Sequence, residues 1–180
     1  ICACLVGSEM CIRDSYWYGE DRSNGYDNSP GVHAYMSTDL YNWTDLGVAL
    51  RAVTSKSQLT DKSNADYAYF DKAYNLTKSD GSVDAAKADA IFPYLNTNPD
   101  QDGDGAVDSV QGIFERPKII YNKKNKQYVL WWHSDGSTTP GGSNYARALA
   151  GVAVSDNPAG PFTMVGAYRL PNQNNWKEAA

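Results

Sequence analysis

From Tyr16 to Ala180 the chain contains no cysteine. Its three cysteines, Cys2, Cys4 and Cys11, all fall in the opening stretch. The body therefore holds neither a disulfide framework nor a thiolate metal cluster. Histidine is nearly as scarce: His33 and His133 are the only two. Neither has a Cys or His partner at metal-ligand spacing, so each reads as a structural residue within a strand. Long apolar runs are missing, which excludes a membrane-spanning helix. An excess of positive charge is missing too. With 16 Lys and Arg against 21 Asp and Glu, the net charge is −5, and no basic face for nucleic acid is visible. There is no glycine-rich phosphate loop and no Gly-x-Ser-x-Gly elbow, so nucleotide and serine-hydrolase chemistry have no support.

What remains is the composition of one globular domain. The chain has 180 residues, 42% hydrophobic and 21% charged, which is ordinary for a folded protein and wrong for disorder. Thirteen Tyr and five Trp supply sheet surface and core. Exposed, they also form flat amphipathic platforms on which sugar rings stack. The head differs from this body. "CLVGSEMCIRDS" (Cys4–Ser15) resembles translated adapter sequence of the kind found at the ends of environmental fragments. Residues 1–15 are therefore set aside as a non-native leader, leaving 16–180 as a partial domain that reads as open at both ends.

The local signals are strand signals. Tyr16–Glu20, Gly31–Ser37, Trp43–Leu50, "PKIIYN" from Pro117, Gln127–Ser134, Tyr145–Ser155 and Phe162–Leu170 are short β-prone runs separated by turn residues, an antiparallel pattern. An internal repeat organises them. "GVHAYMSTD…WTDLG" (Gly31–Gly47) matches "GVAVSD…FTMVG" (Gly151–Gly166). Once an insertion over about residues 52–112 is removed, the unit is one of four strands. Four-stranded units repeated in this way predict propeller blades, about two of them here, with a β-sandwich as the other arrangement. The insertion shows helical spacing over Asp66–Leu76 and Ser82–Leu95, with Ser82 as the expected N-cap. It ends in "DQDGDGAVDS". Asp100, Asp102, Asp104 and Asp108, with a glycine at Gly105, follow the spacing of an EF-hand type calcium loop, although Gln111 stands where that loop has its bidentate Glu.

Two carboxylates stand out. Glu20 ends the aromatic strand "YWYGE", and Glu115 opens "ERPKIIYN", expected as the innermost strand of the second blade. Pro117 cannot donate to a ladder, so it suits a strand edge, and Glu20 and Glu115 are placed to face one pocket from adjacent blades. Arg116 is expected to pair with a carboxylate across the blade junction.

The series "YWYGE", "GVHAYMSTDLYNWTDLGVAL", "ERPKIIYNKKNKQYVLWWHSDGS" and "NYARALAGVAVSDNPAGPFTMVG" resembles glycoside hydrolase family 43, in the branch of exo-β-1,3-galactanases. It covers nearly all of Tyr16–Arg169 outside the insertion. The resemblance implies an all-β fold, a fragment of a five-bladed β-propeller. It also implies inverting hydrolysis of a β-galactan or related plant polysaccharide, in which one carboxylic acid protonates the leaving oxygen and a base on the opposite face activates water. On that resemblance Glu20 and Glu115 bind the hydroxyls of the terminal sugar and Tyr145 lines the pocket wall. The general-acid Glu and the Asp that sets its pKa belong to blades after Ala180. The resemblance further implies no required cofactor, an oligo- or polysaccharide partner and an extracellular or periplasmic location. A non-catalytic carbohydrate-binding propeller is the alternative function.

Overall fold

The computed structural model describes residues 14–25 and 28–169. The three cysteines and residues 1–13 of the expected leader lie outside them. Ser15, placed with the leader on sequence grounds, opens the first strand, β1 (Ser15–Glu20), opposite Ser37. Two antiparallel sheets follow. The first has the order β1-β2-β3, with β2 at Gly31–Ser37 and β3 at Thr44–Arg51. The second has the order β4-β5-β6-β7, with β4 at Gly112–Asn122, β5 at Gln127–Gly136, β6 at Leu149–Ser155 and β7 at Thr163–Tyr168. Among the described residues no helix is long and apolar enough to cross a membrane.

The sequence repeat has a physical basis in both sheets. β2 ends at Ser37, whose hydroxyl accepts the amides of Asp39 and Leu40. β6 ends at Ser155, whose hydroxyl accepts the amide of Asn157. In each case a strand-end serine closes the next turn. The glycines of the repeat mark a bulge. Ala34 pairs with Gly47 and Tyr35 with Asp45, leaving Leu46 as the extra residue. Val152 pairs with Gly166 and Ala153 with Met164, leaving Val165 extra. β2–β3 therefore correspond to β6–β7 and β1 takes the place of β5. The first sheet has no described strand where β4 stands in the second.

Several boundaries differ from those expected. β4 begins at Gly112, so Glu115 lies inside it rather than at its start. The register then skips from Glu115 to Lys118. Arg116 has a φ of 51°, and with Pro117 it forms a bulge in a strand that is also an edge. Both features remove the need for an amide at Pro117. β6 begins at Leu149, not Tyr145. The reason is long-range: Asp135 Oδ1 accepts the amides of Arg147 and Ala148, and Ala148 turns to a φ of 47°. Those amides are then lost to any ladder. Tyr145 keeps one isolated bridge to Gly136. β7 covers Thr163–Tyr168, shorter than the expected Phe162–Leu170.

The segment between β3 and β4 is partly helical, as expected, but divided differently. Its helices are α1 (Ser57–Thr60), α2 (Tyr67–Tyr74) and α3 (Ala85–Leu95). The cap of α3 is Asp84, whose carboxylate accepts the Lys87 amide at 3.1 Å. Ser82 is not the cap: its amide and hydroxyl are both spent on Asp80. One apolar cluster unites this segment with both sheets. Leu59, Phe70, Phe92 and Leu95 meet Val32, Ala34 and Leu50 of the first sheet and Phe114, Leu130, Trp132 and Ala153 of the second. Burial on this scale, at about 25 cal/mol per Å² of apolar surface, makes the segment part of the core. Gly151 stands beneath the Trp132 indole, where any Cβ would enter the ring.

Candidate carbohydrate site

The end of β1 and the bulged part of β4 bring the two singled-out glutamates to one place. Glu20 Oε1 accepts the Arg116 amide at 2.8 Å. Arg22 donates to Glu20 Oε2 at 3.0 Å and reaches Glu115 Oε1 at 3.8 Å, so a single guanidinium spans both acids. The Arg116 bulge is thus used by its backbone: the turned amide is the group that meets the carboxylate from the other sheet, while the side chain is exposed.

Glu115 is buried, and each of its carboxylate oxygens has a hydrogen-bond partner. Its Oε1 accepts the Tyr145 hydroxyl at 3.0 Å and its Oε2 meets His133 Nδ1 at 2.9 Å. Glu115 and His133 are directly opposite across β4 and β5. The other ring nitrogen of His133 lies 3.0 Å from Asp135 Oδ2. Asp135 also accepts the Gly136, Arg147 and Ala148 amides on Oδ1. Burial alone would raise the pKa of Glu115. The hydrogen bonds from His133 and Tyr145, with the charges of His133 and Arg116, outweigh it and hold the group below its ordinary value of 4.5. An ionised, hydrogen-bonded carboxylate accepts hydroxyl donors well and is unsuited to giving up a proton.

All three expected site residues, Glu20, Glu115 and Tyr145, therefore meet. Arg22, His133 and Asp135 complete the group, and sequence reasoning missed them. "His-Ser-Asp" at 133–135 places two titratable residues on the same side of one strand, and that spacing was the available signal.

The other histidine is built alike. His33 Nδ1 lies 2.8 Å from Asp21 Oδ2, and its Nε2 lies 2.5 Å from Asp45 Oδ1. Burial opposes a charge on His33, yet the hydrogen bonds and charges of Asp45 and Asp21 raise its pKa above 6.5. A raised folded pKa means that the stability this pair contributes is fully present below 6.5 and is lost as pH rises through the folded value. His33→Gln should therefore cost most stability at mildly acid pH and little at alkaline pH. Denaturant unfolding of both forms between about pH 5 and about pH 9 measures this; a pH-independent difference would contradict it.

In the acidic loop, Asp100, Asp102 and Asp108 each bring a carboxylate oxygen within 4.8 Å of the others, a group that does not include Asp104. Asp104 Oδ1 takes the Ala106 amide instead. Gln111 is buried, and its side-chain Nε2 donates to the Thr97 carbonyl.

No family model matches the chain, and no curated protein matches it. Solved structures do. An exo-β-1,3-galactanase from Phanerochaete chrysosporium, with β-1,3-galactotriose, is 28% identical over 92% of this chain and 24% of its own, with a TM-score of 0.52. A family 43 β-1,3-galactosidase with galactodeoxynojirimycin is 26% identical over 87% of this chain and 31% of its own, with a TM-score of 0.51. Another β-1,3-galactosidase of that family is 26% identical over 92% of this chain and 24% of its own, with a TM-score of 0.50. The chain thus spans a quarter to a third of the length of these enzymes. Across most of its described residues it is similar, in sequence and in structure, to a part of the glycoside hydrolase family 43 exo-β-1,3-galactanases.

Proposed function

We propose that the complete protein containing this chain is an inverting, exo-acting glycosidase of β-1,3-galactan or a related plant polysaccharide, built as a five-bladed β-propeller and working outside the cell or in the periplasm. In this reading the two sheets are parts of adjacent blades. Glu20, Glu115 and Tyr145 hold the terminal sugar through its hydroxyls, with Trp residues adding contact surface. The observation that carries the reading is the ionised Glu115, placed among Tyr145, His133 and Arg22 and joined through Arg22 to Glu20. Such a set accepts from and donates to a polyol at several points. The similarity to galactanases solved with galactose and β-1,3-galactotriose supports the sugar class. The general acid and its pKa-setting Asp come from outside these residues. The test is incubation of the complete protein with β-1,3-galactan, following galactose release and its anomeric form by NMR. Release of the inverted α-anomer is expected; no release sinks the enzyme reading.

The second reading is a non-catalytic galactan-binding protein, which would use the same Glu20, Glu115 and Tyr145 and lack the general acid. Saturable binding of galactan by the complete protein without galactose release would establish this reading.

The acidic loop is proposed to hold calcium weakly through Asp100, Asp102 and Asp108, with Asp104 adding charge. A Kd of about 10⁻⁴ to 10⁻³ M is expected for a site lacking the bidentate Glu. Calorimetric titration with no heat, and no shift in melting on adding calcium, would remove it.

A further inference from the structure

The segment between β3 and β4 touches both arms of the carboxylate site, and it does so through buried polar groups. On the Glu20 side, Thr97 is 1% exposed and its Oγ1 donates to the Ser29 carbonyl at 2.8 Å. The Thr97 carbonyl accepts the Asn28 amide at 3.0 Å. The Ser29 hydroxyl then donates to the Asp21 carbonyl at 2.7 Å. Asp21 in turn holds the Ser23 amide on Oδ1 and His33 on Oδ2. Glu20 and Arg22 flank Asp21, so this chain of contacts sets where both point. On the Glu115 side, the last turn of α3 leaves carbonyls without helical partners. Arg147 Nη1 takes that of Pro93, Nη2 takes that of Ser137 at 2.6 Å, and the guanidinium lies 5.4 Å from the Tyr94 ring centroid. The Arg147 amide is also one of the three on Asp135, the carboxylate that orients His133 toward Glu115.

We propose that this segment is a buttress of the carboxylate site, with two positioning residues at its contacts: Thr97 within the segment, and Arg147, which meets its helix α3 from the β5–β6 connection. The inference rests on the sugar-binding reading for its consequence, not for its geometry. A segment that merely filled an insertion point would need no buried bonds to the loops behind each glutamate. Buried polar groups are costly unless paired, so these bonds hold one arrangement against others.

The test uses the complete protein with Thr97→Val, which keeps the volume and removes the hydroxyl, and Thr97→Ser, which restores it. Amide exchange at Ser23 and Arg116 reports the two bonds that fix Asp21 and Glu20. Thr97→Val should speed exchange at both by about tenfold and raise the Kd for β-1,3-galactobiose by about tenfold, one hydrogen bond's worth. Amides of β5 and β6 should stay protected, and Thr97→Ser should restore both readouts. Unchanged exchange at Ser23 and Arg116 in Thr97→Val, or failure of Thr97→Ser to restore it, overturns the buttress. Should Thr97→Val not fold, Arg147→Lys carries the same test, read at the Arg147-position and Ala148 amides. If the unaltered protein binds no galactoside, the sugar reading fails while the exchange measurements still decide the buttress.

Discussion

Glu115→Gln in the complete protein should lower kcat/KM on β-1,3-galactan by about 30- to 1,000-fold, mostly through weaker sugar binding. Both inward neighbours of Glu115 present donors to it: the Tyr145 hydroxyl at 3.0 Å and His133 Nδ1 at 2.9 Å. An amide has one acceptor oxygen, so it satisfies one of the two and turns its NH₂ toward the other. Loss of one charge-assisted bond costs about 1.5–3 kcal/mol and weakening of the other about 0.5–1 kcal/mol, together about 2–4 kcal/mol, which sets the range given. The charge lost also leaves Arg22 with Glu20 as its one remaining carboxylate of this pair. The pH dependence follows from the same contacts. Because the folded pKa of Glu115 lies below 4.5, the stabilisation it supplies is present above 4.5 and fades as pH falls through the folded value. Sugar affinity of the unaltered protein should fade in that acid window, while that of Glu115→Gln stays flat. An unchanged kcat/KM in the variant would remove Glu115 from the sugar site.

What could be read in advance was local chemistry. The repeat was legible because Ser37 and Ser155 close turns, and Gly47 and Gly166 end bulges, each acting on residues within a few positions. Glu20 and Glu115 were legible as a pair because the repeat set them at strand ends of adjacent four-stranded units, and the family resemblance added the sugar-binding role. Side chains that claim distant amides were not legible. Asp135 takes the amides of Arg147 and Ala148 and so delays β6 to Leu149. At Arg116 the expectation was a side-chain ion pair, whereas the positive φ turns its amide to Glu20. The His133 relay needed the β4–β5 register, which places it opposite Glu115 and which sequence alone does not supply. Ser82 and Asp84 are both reasonable caps by type, and the contest was settled by Asp80, which occupies Ser82.

Asp135→Ala should be the most destabilising single change at this site, by about 3–5 kcal/mol. The residue is 2% exposed, and one carboxylate serves four partners. Its Oδ1 accepts three amides, from Gly136, Arg147 and Ala148, and its Oδ2 faces His133 Nε2. Alanine leaves buried amides without acceptors and frees the chain that carries Tyr145, so the pocket wall loosens along with the fold. Asp135→Asn separates the two jobs. Its carbonyl oxygen can still accept the amides, while its NH₂ now donates toward Nε2. His133 is then confined to the neutral tautomer that donates from Nδ1 to Glu115. The Asn variant should lose about 1 kcal/mol and keep both the Tyr145 loop and the His133 bond to Glu115. Denaturant midpoints rank the three forms, and ¹⁵N spectra of the His133 ring report the tautomer. If the Ala and Asn variants were equally stable, the three amide bonds would contribute nothing and Asp135 would act through His133 alone.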